Sequence, residues 1–488
     1  MGTSKQKSIT KNSIYYSVYQ VLNVIFPFFT GMYVARILLP DAVGKVAYAQ
    51  NIAQYFVILA FLGLPTYGMR EIAKVRDNDK ERSKIYSELL VINFISTFIF
   101  SLIYLALILS VKSFRDNLAL YLVTGGAIAL NALNNSWLYE GLEEFRFISI
   151  RNIIFKFICF GLLVLLVRSP DDYIIYASIT VIGAAGNYII NMAYAPKFVT
   201  FQLKDLNLRR HIKSIMLLVV VNLAVELYSL VDVTMLGAMT TDRNVAYYSY
   251  ASKINKIFVQ MINAFTVVIV PRIAFYYKEN KKEEFNQLLS KTLETLFVLG
   301  IPLVVGLQFC SPDAITLLYG NAFYPSANVL RILSWVLIIS PIGYLLGSRV
   351  LLVTDHEKTM VLCVGIGAIV NVIGNAILIP RFVEYGAAIA SVISEIVVMV
   401  FYVHFGRRFF HISGEGRNVL KIVISSAAMG IFLLIIDILL PGSATVNIFI
   451  RLIVQVIGAI VIYFTLLYIF NEPMTRMYGA RLIRKLKR

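Results

Sequence analysis

Residues 359–379 read TMVLCVGIGAIVNVIGNAILI, a run without one charged side chain. A helix crossing a hydrocarbon core of roughly 30 Å needs ~20 such residues, so this stretch alone predicts a membrane-spanning helix. Working outward, comparable apolar stretches lie at 12–39, 42–68, 85–111, 118–139, 152–168, 173–196, 214–239, 245–271, 288–311, 327–353, 386–406, 419–440 and 447–470. Fourteen spans are therefore predicted, leaving nothing for a soluble domain. Composition agrees, with 58% hydrophobic and 15% charged residues among 488 and a mean hydropathy of +0.74. The runs are continuous and lack the period-two alternation of a barrel strand, which predicts an all-α membrane protein.

The first stretch is too long and too rich in Tyr, Gln and Asn for a cleaved signal, and reads as a retained helix. Cys159, Cys310 and Cys363 all fall in apolar segments, with no CxxC and no His at metal-ligand spacing, so no disulfide, metal or cofactor is expected. No GxxxxGK[ST] loop is present to cradle a nucleotide phosphate, which excludes direct ATP hydrolysis. No catalytic residue is assigned, and the chain reads as a non-enzyme.

An even number of spans puts both termini on one side, and basic residues identify that side as cytoplasmic. The loops on the side of the termini carry Arg70, Lys74, Arg76, Lys80, Arg82, Arg146, Arg151, Lys156, Arg209, Arg210, Arg407 and Arg408 among many others, while the other side keeps a few, such as Arg36, Lys45 and Arg243. The net charge of +17 follows from this asymmetry and from attraction to anionic headgroups, so no nucleic-acid partner is expected. The tail from Arg476 to Arg488 reads as an interfacial amphipathic segment.

A weak internal repeat appears at an offset of about 202 residues. Val43, Tyr48 and Ala49 align with Val245, Tyr250 and Ala251, and Arg70 aligns with Arg272. A second echo sets Ala177-Ser178 against Ala390-Ser391. An offset of six helices implies copies of the same orientation, related by an axis along the membrane normal. The expected organisation is an N-lobe over 1–213 (helices 1–6), a C-lobe over 214–418 (helices 7–12), and helices 13 and 14 with the basic tail over 419–488.

Several short patterns occur in order along these spans: Gly31-Met32-Tyr33-Val34-Ala35-Arg36 with Val43-Gly44, Asn135-Ser136-Trp137-Leu138-Tyr139-Glu140-Gly141, Val231-Asp232-Val233-Thr234-Met235-Leu236-Gly237, Val270-Pro271-Arg272, and Gly386-Ala387-Ala388-Ile389-Ala390-Ser391. Together they resemble the Wzx-type oligosaccharide flippases of the multidrug/oligosaccharidyl-lipid/polysaccharide superfamily. The resemblance implies a two-lobed alternating-access fold. It also implies translocation of undecaprenyl-diphosphate-linked oligosaccharide from inner to outer leaflet of a bacterial plasma membrane, for capsule, exopolysaccharide or O-antigen assembly. Membrane lipids, a polymerase and chain-length proteins are the partners it implies. Ala246 stands where the family usually has Gly.

Ionisable groups inside the hydrocarbon are costly and mark candidate sites. Lys253 and Lys256, three apart on one helical face, are candidates for binding the diphosphate, with Arg349, near the cytoplasmic end of its helix, a third cation for which snorkelling to the interface is an equal alternative. Glu226, Asp232 and Glu395 are candidates for charge pairing or ion coupling. At a rise of ~1.5 Å per residue, Glu226 falls near the depth of Lys256 and Asp232 near that of Lys253, so structural salt bridges are an equal alternative. Asn371 and Asn375, one turn apart, are candidates for sugar hydroxyls or for bonding between helices. Pro27, Pro65, Pro302 and Pro341 are expected to kink their helices, and Gly343 with Gly347 to admit a close helix neighbour.

Three other functions stay open. A cation-coupled multidrug exporter would share the fold, but no deep acid is evident in helices 1, 2, 5 or 6. A lipid II flippase is poorly separated by sequence. A polysaccharide polymerase needs a substantial external loop, and the longest candidate, about 312–326, is short.

Overall fold

The computed structural model describes residues 9–411, 416–440, 445–473, 475 and 476; within them, the side chains of 9–22, 24, 25, 217, 218, 220–229 and 445–447 are not described. The basic residues near the N-terminus, the tail beyond Arg476 and the side chain of Glu226 therefore lie outside the described part. Among the described residues every regular element is a helix. Contacts divide the chain into two compact units, one of Met1–Gly237 and Thr241–Ala246, the other of Ala238–Thr240 and Tyr247–Arg488.

The first unit holds α1 (Ile9–Phe61), α2 (Leu64–Lys74), α3 (Asp79–Ser110), α4 (Lys112–Arg115), α5 (Leu118–Asn131), α6 (Ser136–Gly141), α7 (Phe145–Leu166), α8 (Tyr173–Ala185), α9 (Asn187–Tyr194) and most of α10 (Arg209–Met239). The stretch labelled α1 is two helices meeting at Leu39, whose φ of 60° is left-handed, just before Pro40. That break falls where the first two spans were expected to separate. Pro65 differs from expectation. Leu62 and Gly63 take φ of 48° and 68°, α2 starts at Leu64, and Pro65 occupies its first turn, where the missing N–H has no helical acceptor to lose. It starts a helix and kinks none.

The N-terminus of α3 shows why these segments begin where they do. The side chain of Asn78 accepts the Glu81 N–H at 3.1 Å, and Asp79 and Glu81 place negative charge in the first turn. Farther along, Ile95, Phe98 and Leu102 are 50%, 66% and 51% exposed, while Asn93, Ser96 and Thr97 on the opposite face are buried. Such a contiguous apolar face is unstable in water. Facing hydrocarbon, with polar groups turned to neighbouring helices, it is the stable arrangement.

The second unit holds nearly all of α11 (Asp242–Lys278), then α12 (Lys282–Tyr319), α13 (Pro325–Leu333), α14 (Val336–Gly343), a π-helical turn over Tyr344–Arg349, α15 (Val350–Val353), α16 (Glu357–Gly406), α17 (Gly416–Leu439) and α18 (Thr445–Ile469). Like α1, α16 is two helices, here divided at Val383 with φ 51°. The glycine pair behaves as its spacing predicts. A Cβ on Gly347 would lie 2.1 Å from the Cβ of Tyr402, and one on Gly343 would lie 3.2 Å from the Cα of Met399, so α16 packs against this stretch at near-backbone distance.

Among the described residues, ten helices are long and apolar enough to cross a membrane, and Leu118–Asn131 and Leu230–Met239 are shorter apolar helices. Two of the ten contain the breaks at Leu39 and Val383. An all-α membrane architecture is thus established, while the count of fourteen remains an expectation.

Candidate functional site

The cations expected to hold the diphosphate all lie in the second unit. Lys253 and Lys256 are exposed on α11, and the Lys253 ammonium stands 4.4 Å over the ring of Tyr250. That ring is fixed: Tyr250 is 1% exposed and packs on Tyr319 and Phe323 at 4.6 and 4.8 Å. Among the described residues neither lysine forms an ion pair. Arg349 ends the π-helical turn, a rare helix form frequent at functional sites. Its guanidinium lies 4.6 Å over Tyr344, and its Nε finds no hydrogen-bond acceptor among the described residues.

Asn375 donates to Asn371 at 3.1 Å, and both are buried on α16, so this pair is engaged inside the helix packing. Glu395 is half-buried on the same helix. The Tyr248 hydroxyl lies 3.1 Å from Ser391, tying α11 to α16. Asp232 is 7% exposed within the first unit, on α10. An apolar cavity of about 350 Å³ opens in the second unit, lined by Phe258, Pro302, Gly306, Cys310, Met429 and Tyr463 among others.

Sequence reasoning missed a buried cluster in the first unit. Glu88, fully buried on α3, accepts the Asn207 N–H at 2.7 Å, Arg210 Nε at 2.9 Å and Nη2 at 2.5 Å, and pairs with His211 Nε2 at 2.8 Å. The Tyr67 hydroxyl meets the other ring nitrogen of His211 at 2.8 Å. Burial disfavours the charge on Arg210, but its bonds to Glu88 and Glu81 outweigh that and raise its pKa. The same face of α3 binds the connecting segment before α10. Arg82 donates to the Phe198 carbonyl, while Thr200 and Gln202 donate their N–H groups to Ser83 and Ser87, each at 3.0 Å. The available signal was Glu88 itself, a single charge in an otherwise apolar run.

Helix α7 corrects a second reading. It begins at Phe145, before the expected 152, so Arg151 joins Lys156 within the helix. At ~1.5 Å per residue Lys156 is roughly 16 Å along it. Its ammonium donates to Asn23 at 2.6 Å and lies 5.5 Å over Phe26, while Asn152 donates to the same Asn23 oxygen at 3.2 Å. The Asn135–Gly141 pattern is structural in placement. Trp137, Leu138 and Tyr139 are buried, Asn135 donates to Tyr86 at 3.1 Å, and the Tyr139 hydroxyl donates to the Asn191 carbonyl.

Long apolar helices packed into two compact units are the architecture of a polytopic membrane protein. A solved "Lipid II flippase MurJ, inward closed conformation" shares the fold at a TM-score of 0.67 and 18% identity, covering 94% of this chain and 98% of that one. The family model described as "Polysaccharide biosynthesis protein" matches residues 9–276, and the chain belongs to that family. A second model, MatE, matches residues 218–377, within the same superfamily of transporters. The chain is 23% identical over 405 residues to a protein of Escherichia coli K12 described as "Putative O-antigen transporter", covering 82% of this chain and 96% of the relative. It is 24% identical over 257 residues, 53% of each chain, to a Haloferax volcanii protein described as "Probable low-salt glycan biosynthesis flippase Agl15".

Proposed function

We propose that this chain is a flippase, carrying lipid-linked oligosaccharides from the inner to the outer leaflet of a bacterial plasma membrane by alternating access. The observation that carries the reading is the pair Lys253 and Lys256, exposed on an apolar membrane helix and without an ion pair among the described residues. Such charges are costly in hydrocarbon unless an anion compensates them. A lipid diphosphate supplies that anion, and lysine suits it as a point charge. Arg349 offers a third donor. The apolar cavity between α11, α12, α17 and α18 matches the hydrocarbon of a polyprenyl carrier.

In this reading the substrate is an undecaprenyl-diphosphate-linked repeat unit, and the pathway is capsule, exopolysaccharide or O-antigen assembly. The relatives' descriptions as an O-antigen transporter and a glycan flippase support it. Repeats spanning 1–213 and 214–418, cytoplasmic termini, and ion coupling through Glu226, Asp232 or Glu395 belong to the same proposal, as do a polymerase and chain-length proteins as partners. Asn371 is buried and bonded to Asn375, which favours packing over sugar contact for that pair.

The test is surface polysaccharide per unit of membrane-inserted protein in a strain lacking its own copy of the gene. The double variant Lys253→Gln, Lys256→Gln is expected to insert normally and to export almost nothing. Full export at normal protein level rules the site out.

A further inference from the structure

Residues 199–207, before α10, form no regular element, yet the backbone from Phe198 onward is taken up in order along α3. Arg82 donates from Nε and Nη2 to the Phe198 carbonyl at 3.1 and 2.6 Å. One turn farther along α3, and then at its next position, Ser87 accepts the Gln202 N–H at 3.0 Å and Glu88 the Asn207 N–H at 2.7 Å, while Ser83 accepts the Thr200 N–H. Asp205, with φ of 57°, turns the strap before its last contact. A connecting segment in water has no need of such help, because water satisfies its amides. A non-helical backbone lying where hydrocarbon begins persists only if protein groups satisfy it.

The position of the strap on α3 agrees. Ser83, Ser87, Phe94 and Phe98 follow one another at intervals of four, seven and four residues and so share one face of the helix. Farther along, that face is apolar and open, with Phe94 and Phe98 both exposed. At its charged end, around Asp79, Lys80 and Glu81, the strap covers it. Ser87 lies roughly 10 Å short of Phe94 at ~1.5 Å per residue, which sets the strap on the lipid-facing side at the polar boundary of the bilayer. There the strap itself exposes two large apolar side chains, Phe201 at 49% and Leu203 at 69%. Lys204, Arg209 and Lys213 follow, all exposed and none in an ion pair among the described residues, with Asp205 the one acid between Phe198 and Met216.

We propose that the strap is a binding site for an anionic phospholipid of the surrounding bilayer. Lys204, Arg209 and Lys213 reach the headgroup phosphate, and the acyl chains lie against Phe201 and Leu203 and continue along Phe94 and Phe98. A zwitterionic lipid offers the same chains, but its own ammonium cancels its phosphate charge, so the three cations choose the acidic lipid. The bonds to α3 hold the strap in one conformation, which presents the two apolar side chains together. This lipid is not the transported cargo, and the proposal is independent of the transport reading above.

The experiment uses the full chain with its three buried cysteines, Cys159, Cys310 and Cys363, replaced by Ala, and Leu203→Cys labelled with a bimane fluorophore. The protein is reconstituted in phosphatidylcholine vesicles into which brominated phosphatidylglycerol or brominated phosphatidylcholine, both quenchers, is titrated. Brominated phosphatidylglycerol is expected to quench at the lower mole fraction. Lys204→Gln is expected to weaken that quenching about five-fold, the worth of one basic side chain near an anionic surface, and Lys204→Gln with Arg209→Gln and Lys213→Gln to make the two lipids equal. Quenching by brominated phosphatidylcholine should be the same in every variant, a readout that a merely misfolded protein would not keep. Lys204 lies in the strap, outside any helix, so Lys204→Gln decides the matter if the triple variant inserts poorly. Absence of quenching by either lipid would show the strap facing water, open to a soluble partner, and overturns the proposal. Equal quenching of the parent by both lipids, or a preference unchanged by Lys204→Gln, overturns it as well.

Discussion

Asn51 on α1 stands 202 residues before Lys253 on α11, the offset of the sequence repeat, and the two positions are used in opposite ways, whereas Gln54 and Lys256 at the same offset are both exposed. In the first copy Asn51 is buried and bonded to α10. In the second, Lys253 is exposed, with its ammonium over the ring of Tyr250. The surroundings are otherwise alike. Tyr48 packs beside Phe114 just after α3, and Tyr250 packs beside Phe323 just after α12. Gln50 bonds Thr180 to join α1 with α8, and Tyr248 bonds Ser391 to join α11 with α16. The difference teaches that similar packing on α1 and α11 surrounds a polar position used for packing in one case and, in the proposed function, an exposed cation available to a ligand in the other.

The same contrast extends to the buried charges. In the first unit Glu88 is saturated by donors, which makes it a clamp holding the segment before α10 against α3. Removing one partner of a buried ion pair costs about 3–5 kcal/mol, because the remaining charges lose their compensation. Glu88→Ala is therefore expected to show the largest loss, a collapse in the amount of folded, membrane-inserted protein measured by size-exclusion of the detergent extract. Normal yield of a monodisperse Glu88→Ala protein would break the distinction between a structural first unit and a ligand-facing second one.

Exchanging the corresponding residues sharpens the comparison. Asn51→Lys removes two hydrogen bonds from a buried site and is expected to lower thermal stability by about 1–3 kcal/mol. Lys253→Asn changes an exposed side chain and is expected to stay within about 0.5 kcal/mol of the parent in the same melting assay. Its effect falls on transport, where loss of one charge-assisted bond to phosphate lowers export by about tenfold or more. Equal destabilisation by the two exchanges would show that Lys253 is structural after all.

The fold was legible wherever the signal is local. Unbroken apolar runs marked the helices, the left-handed breaks at Leu39 and Val383 fall between expected spans, and the spacing of Gly343 and Gly347 announced the contact with α16. The clamp was not legible, because Arg210 and His211 lie more than a hundred residues from Glu88 and look like any basic loop on the side of the termini. The start of α7 was misread for a related reason. Arg146 and Arg151 looked like the end of a loop, yet Arg151 is buried against Phe147 and the helix starts before both. Glu226, with its side chain outside the described residues, stays a sequence expectation.

The smallest expected effect concerns prolines, which the two units also use differently. Pro341 lies within α14 just before the π-helical turn, where its missing N–H coincides with a change of hydrogen-bond register. Pro65 sits in the first turn of α2, after two residues with positive φ, so no helical hydrogen bond depends on its N–H. Its contribution is restriction of the unfolded chain, and Pro65→Ala is expected to cost only about 0.4–1 kcal/mol. Export should be unchanged within error, because Leu62 and Gly63 already turn the chain without it. A kink-forming proline would behave otherwise, since straightening the segment would move Tyr67 away from His211 and disturb the Glu88 clamp. Melting and export of Pro65→Ala, measured together, separate these outcomes: a drop in both, comparable to that of Glu88→Ala, would restore Pro65 to the role of a kink.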